Sequence, residues 1–209
     1  MKRGKIIVIE GPSNTGKTTT CQNMKKYKDC EIIEECMVYD KNPPKSSTNH
    51  KEEVNNQNYF FEVERRRMKK ATELAKQGKD VILDRCALST VAVAYAKERV
   101  GQCKGFKTAL DGYTNLFNDE EFFKPDMYYF LHTDYETTRN RNNTRENTLE
   151  DDWIGDSFTA YQDEFYETIS SKIPNSTRIC TTGKTKDYVS RLIANYLKYQ
   201  EVDNSEEGR

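Results

Sequence analysis

The chain has 209 residues, 32% of them charged, and 33 lysines and arginines nearly cancel 34 aspartates and glutamates to leave a net charge of −1. That balance argues against the electrostatic footprint of a duplex nucleic-acid binder, and no apolar run approaches the ~18 residues that span a membrane. Six cysteines, at positions 21, 30, 36, 86, 103 and 180, form no C-x-x-C pair, so they read as reduced cytoplasmic thiols rather than a disulfide frame or zinc site. The length suits one compact α/β domain, expected over residues 1–200, with a small lid.

The first predicted strand is Lys5–Ile9, an apolar run suited to burial on both faces. The basic-then-apolar start is too short in its apolar part for a signal peptide and runs directly into a glycine loop. That loop, GPSNTGKT, fits G-x-x-x-x-G-K-[ST] with Gly11, Gly16, Lys17 and Thr18 at the fixed positions, and a helix is predicted over 16–28. Strand, loop and helix in this order make an anion cradle of backbone N–H groups. Ser13, Asn14, Thr15 and Thr19 would line it, Lys17 would reach the β- and γ-phosphates of ATP, and the Thr18 hydroxyl would hold Mg²⁺.

The second strand, Glu31–Cys36, carries Glu34 and Glu35 toward its carboxyl end. A carboxylate there could take a proton from an acceptor hydroxyl or fix a sugar hydroxyl. Strand alternation lets one of the pair face the cleft, and both stay candidates. Residues 41–57, polar with a Pro-Pro pair, are predicted to be a long loop. A helix follows over 53–77, with an apolar stripe through Phe60, Val63, Met68, Ala71, Leu74 and Ala75. One aromatic at its start could stack on a base. Gln57, Glu64, Arg65 and Arg66 could read base edges or a phosphate.

The third strand, Asp80–Leu83, ends in Asp84-Arg85 before a helix over 87–99. An acid and an arginine at a strand end beside a phosphate loop have a clear use. Asp84 can hold Mg²⁺ through water, and Arg85 can grip a phosphate in bidentate fashion. A helix is predicted over 106–120, a strand over Met127–His132 and a helix over 134–143. ETTRNRNNTRENTLEDDW (136–153) has no apolar stripe, and its Arg139, Arg141 and Arg145 suit a lid, about 140–152, that neutralises charge on a transferred phosphoryl group. A helix over 153–171, a strand over Thr177–Cys180 and a helix over 185–199 complete the chain, and 201–209 is expected to be a disordered tail. The alternation implies a parallel sheet covered on both faces, with ligands beyond the carboxyl ends of its strands.

VIEGPSNTGKTT, VILDRCALSTVAVAYAKE and KPDMYYFLHTD together resemble the thymidylate kinase and deoxynucleoside kinase superfamily over most of residues 4 to 197. The run Asp84, Arg85, Ser89, Ala92 is more similar to thymidylate kinase than to the Glu-Arg-Ser form of nucleoside kinases. Lys124-Pro125-Asp126 and the Thr133-Asp134 turn match as well. The resemblance implies a P-loop kinase fold, a five-stranded parallel sheet flanked by helices with a short arginine-rich lid. It implies ATP and Mg²⁺, a small nucleotide as acceptor, and an acceptor site in which Arg85 binds the phosphate. Ser89 and Tyr95 would lie near the nucleoside, and Phe60 or Phe61 would stack on the base with Arg65 or Arg66 nearby. It also allows a homodimer through helices beside the sheet.

Two departures bear on the acceptor. Ser13 stands where these kinases carry an acid in the loop, and Glu34-Glu35-Cys36-Met37 stands where an arginine-containing turn follows the second strand. A monophosphate acceptor is already anionic and needs positive charge, which Arg85 supplies. A nucleoside presents a neutral 5′-hydroxyl and benefits from a base, which Glu34 or Glu35 permits. The expected activity is ATP-dependent phosphorylation of a deoxynucleoside 5′-monophosphate, a pyrimidine such as dTMP. The alternatives are a deoxynucleoside kinase, a kinase for a modified nucleotide or a DNA base, and a regulatory nucleotide-binding module. The near-zero charge disfavours a polymeric acceptor.

Overall fold

The computed structural model describes residues 2–145, 148–149 and 151–206. Residues 146, 147 and 150 of the expected lid, and 207–209 of the expected tail, lie outside the described residues. Five strands, β1 (Ile6–Glu10), β2 (Glu31–Ile33), β3 (Val81–Asp84), β4 (Met127–His132) and β5 (Ser176–Cys180), form one sheet in the order β2-β3-β1-β4-β5. Every pairing is parallel.

All five residues of β1 are buried, because the alternating side chains serve two cores. Ile6 and Val8 point to a layer made by α3 (His50–Lys76), α4 (Leu88–Arg99), α5 (Phe106–Phe117) and α8 (Asp156–Ser170). Ile7 and Ile9 point to the opposite layer, made by α1 (Lys17–Met24) and α9 (Lys186–Glu206). The remaining helices are short or peripheral: α2 (Cys36–Tyr39), α6 (Tyr135–Asn143) and α7 (Asp151–Ile154).

Several boundaries differ from the sequence reading: α1 ends at Met24 rather than 28, and the helix expected over 153–171 is divided into α7 and α8. Strand β2 stops at Ile33, and Cys36–Tyr39 turns into α2 rather than continuing the strand. Helix α3 starts at His50, inside the segment expected to be loop. The cause is a cap: the Asn49 side chain accepts from the Glu52 N–H at 3.0 Å, while the Glu52 carboxylate accepts from the Thr48 N–H at 2.8 Å. Helix α9 continues to Glu206, into the segment expected to be a disordered tail.

The Lys-Pro-Asp turn before β4 serves the sheet rather than the ligand end. Asp126 accepts from the Ile6 N–H at 2.7 Å and pairs with Arg3, so it ties the start of β4 to the start of β1. Asp126→Ala is expected to lower stability by about 1–3 kcal/mol, the usual cost of an orphaned backbone donor, while turnover at permissive temperature is retained. Urea denaturation alongside an activity assay checks both.

Candidate active site

The parallel register sets the site. Ile9 pairs with Asp84, so β1 and β3 end side by side and the chain leaves both at the same level. From β1 it enters the glycine loop. Gly11 sits at φ 137°, and a Cβ there would lie 2.0 Å from the Leu131 carbonyl oxygen of β4. Only glycine lets the loop pass so close to the neighbouring strand. Gly16, at φ 93°, then opens α1 in a left-handed conformation.

Lys17 is buried, with 5% of its surface exposed, and its ammonium donates to the Pro12 carbonyl and, at 3.3 Å, to Thr15 Oγ1. It is folded onto the loop that it would serve. Burial, together with the neighbouring Arg85, pulls its pKa down to about 7 despite the carboxylates of Asp84, Glu35 and Glu10.

Asp84 is 2% exposed, and its Oδ1 has no hydrogen-bond partner within the protein. Burial raises its pKa, opposed by a hydrogen bond from Thr18 and by Lys17 and Arg85. Thr18 and Asp84 also line one cleft of about 270 Å³ between α1 and the edge strand β2. A buried carboxylate oxygen without a partner, beside a hydroxyl, fits a Mg²⁺ ion that takes most of its ligands from water and substrate phosphates. Among the described residues no group of three His, Cys, Asp or Glu forms a closed metal cage.

Arg85 follows at φ 66°, a left-handed conformation that costs a non-glycine residue about 1–3 kcal/mol and that clusters at functional sites. Its Nε donates to Glu35 at 2.9 Å, and its Nη1 donates to the Gly11 carbonyl at 3.0 Å and to Ser89 Oγ at 3.1 Å. Burial works against both charges, but their attraction wins: Glu35 stays below and Arg85 above its ordinary pKa. Glu35 is thus the glutamate that meets Arg85, while Glu34 is exposed and lines the cleft beside β2 with Thr18 and Asp84.

Helix α3 contributes an arginine other than the two expected. Arg65 pairs with Asp119 and lies 5.6 Å above the Phe122 ring, and Arg66 pairs with Asp40. Arg67 is the fully buried one. It pairs with Glu64 and donates to the carbonyls of Asp84, at 2.8 Å, and Arg85, at 3.1 Å. It therefore holds the strained strand exit from below. The signal was in the sequence: Val63, Arg67, Ala71 and Ala75 are spaced by four, so Arg67 stands inside the apolar row. Phe60 shares a face with Glu64 and Arg67 by spacing and is half-buried, in edge contact with Tyr59. Phe61 packs instead on α5 beside Gly112.

The other expected residues divide. Ser89 lies between Arg85 and Glu10. Tyr95 is packed against Phe106 and Phe165, with its hydroxyl on Glu164 at 2.6 Å rather than on Arg85 or Ser89. Among the lid arginines, Arg141 donates to the Asn14 carbonyl at 3.1 Å and the Thr181 carbonyl at 2.8 Å, and Arg145 donates to Asn14 Oδ1 at 2.8 Å. Asn142 is buried and accepts from the Asn14 side chain at 3.2 Å, so α6 is latched to the glycine loop. Arg139 is exposed over the Tyr135 ring and is not part of that latch.

A glycine loop at a helix start, a buried lysine, and an acid-arginine pair at the adjacent strand end define a P-loop phosphotransferase. The thymidylate kinase family profile matches residues 9–193, and the chain belongs to the thymidylate kinase family, nucleoside monophosphate kinases that use ATP and Mg²⁺. A thymidylate kinase from Candida albicans superposes with a TM-score of 0.73 at 22% identity, over 95% of this chain and 93% of that one. A deoxyadenosine kinase from M. mycoides with bound dATP superposes with a TM-score of 0.70 at 18% identity, over 92% and 99%. Both likenesses are of fold. A search of curated proteins finds no match. No helix among the described residues is long and apolar enough to cross a membrane.

The lowered pKa of Lys17 has a thermodynamic consequence. At pH 8 the free lysine is mostly neutral, and phosphates in the loop favour its charged form. MgATP binding at pH 8 is therefore expected to take up close to one proton, and this uptake shrinks below pH 7, where the lysine is already charged. Calorimetry in buffers of different ionisation enthalpy measures it, and zero net uptake at pH 8 contradicts the assignment.

Proposed function

We propose that the protein transfers the γ-phosphoryl group of ATP to a deoxynucleoside 5′-monophosphate, with dTMP as the first candidate. The observation that carries this reading is the half-buried Arg85, held at the end of β3 next to the phosphate loop. An acceptor phosphate brings negative charge toward the triphosphate, and a fixed guanidinium offsets the repulsion.

In this reading the loop amides of Gly11 to Thr19, with Ser13, Asn14 and Thr15 along the cradle, bind the triphosphate. Lys17 leaves the Pro12 carbonyl for the β- and γ-oxygens. Thr18 and Asp84 would hold Mg²⁺, which when bound neutralises charge on the phosphates. Arg85 exchanges Glu35 for the acceptor phosphate. Phe60 stacks on the base, and Arg141 and Arg145 close over the loop through Asn14. Water exclusion by that closure limits hydrolysis of ATP.

The Glu35–Arg85 pair supports a second reading. It puts an ionised carboxylate beside the guanidinium, where a base for a 5′-hydroxyl would be useful. Three variants separate the readings. Lys17→Ala is expected to lower kcat roughly 100-fold or more with any acceptor. Arg85→Ala is expected to raise the KM for dTMP while leaving the KM for ATP nearly unchanged. Glu35→Gln is expected to leave dTMP phosphorylation within a few-fold. Loss of all activity in Glu35→Gln, together with turnover of thymidine by the unaltered protein, would instead establish the nucleoside kinase.

A further inference from the structure

Glu10, the last residue of β1, is fully buried and has no role in the reading above. It receives hydrogen bonds from three elements beyond its own strand. The Cys86 N–H, at the β3 exit, donates to Oε1 at 2.7 Å. The Ser89 hydroxyl, on α4, donates to Oε2 at 2.9 Å, and the Tyr166 hydroxyl, on α8, donates to the same oxygen at 3.0 Å. The Gly11 N–H approaches Oε2 at 3.2 Å.

Every partner is a donor. A carboxylate has no hydrogen of its own and about four lone-pair sites, so it satisfies all of them. An amide in its place must aim two N–H bonds into the same group of donors. The chain of polarity continues outward. Ser89 has a single hydroxyl hydrogen, and spending it on Glu10 leaves its lone pairs facing Arg85, whose Nη1 donates to it at 3.1 Å. Glu10 thus fixes which way Ser89 points, and Ser89 fixes one edge of the guanidinium.

We propose that Glu10 is a positioning residue that orients Arg85 through Ser89 and thereby sets affinity for the acceptor phosphate. The proposal rests on the reading in which Arg85 grips that phosphate. Glu35 occupies Nε and must give way to an incoming phosphate, whereas Glu10 is enclosed and stays. It supplies the part of Arg85's environment that does not change when the acceptor binds.

The test is a double-mutant cycle of Glu10→Gln and Arg85→Ala, reading the KM for dTMP and the KM for MgATP separately, with melting temperatures to confirm folding. Glu10→Gln alone is expected to raise the dTMP KM about 10- to 100-fold, the usual effect of misplacing a binding group by a fraction of an ångström to an ångström, with the MgATP KM within two-fold. In the Arg85→Ala background it should add no further increase. A Glu10→Gln protein that melts earlier yet keeps the wild-type dTMP KM overturns the proposal, and so does a full, additive loss in the Arg85→Ala background. If Glu10→Gln does not fold, Ser89→Ala takes its place in the same cycle with the same criteria. Arg85→Ala alone separates the two levels: an unchanged dTMP KM removes the phosphate-grip reading and this proposal with it, whereas a raised one leaves the Glu10 result to decide.

Discussion

The pairing of Ile9 with Asp84 is the constraint on which the rest of the structure depends. Parallel neighbours end together, so the polar residues that follow each strand are delivered to one place. From β1 come Glu10 and the glycine loop, and from β3 come Asp84 and Arg85. Neither strand end could be stable alone. Asp84 and Glu10 are buried carboxylates, and Arg85 is a side chain in a left-handed backbone conformation. Each supplies what another lacks, and Arg67 closes the arrangement from α3 by taking the Asp84 and Arg85 carbonyls.

The charges are held in two tiers. Arg67 and Glu64 are both enclosed and paired, and Arg67 also donates to the Asp84 and Arg85 carbonyls, so their pair is part of the framework. Breaking such a pair by removing one partner leaves an uncompensated buried charge. Arg85 and Glu35 are partly open, and Lys17 rests on its own loop. These groups are paired with substitutes that an anion can displace. The fold thus keeps its cations in place before substrate arrives, which lowers the reorganisation needed during transfer.

Much of this was readable from the chain. The loop motif, the Asp84-Arg85 pair and the five strands stand out because their residue types have narrow uses. What could not be read depended on direction. Glu34 and Glu35 were inseparable by strand alternation because β2 stops at Ile33, so the pair lies beyond the strand, in the link to α2, which starts at Cys36. The three consecutive arginines on α3 look alike in sequence, yet a step of about 100° per residue sends Arg65 to Asp119, Arg66 to Asp40 and Arg67 into the core. Glu10 carries no sequence signal of its own because the predicted strand, Lys5–Ile9, stops one residue short of it, whereas β1 runs through Glu10. At the end of a strand buried on both faces, an acid requires partners. Arg139 and Arg141 diverge for the same angular reason: α6 turns Arg141 toward Asn14 and leaves Arg139 exposed over the Tyr135 ring.

In the proposed reading, a fixed guanidinium at the end of β3 selects an acceptor that already carries a phosphate. The most direct measurement is phosphoryl transfer from MgATP by the unaltered protein to thymidine, deoxycytidine, deoxyadenosine and deoxyguanosine, each beside its 5′-monophosphate. Transfer to a monophosphate, dTMP foremost, and none to the four nucleosides is expected. Transfer to nucleosides with none to the monophosphates would contradict it and make Glu35 the base.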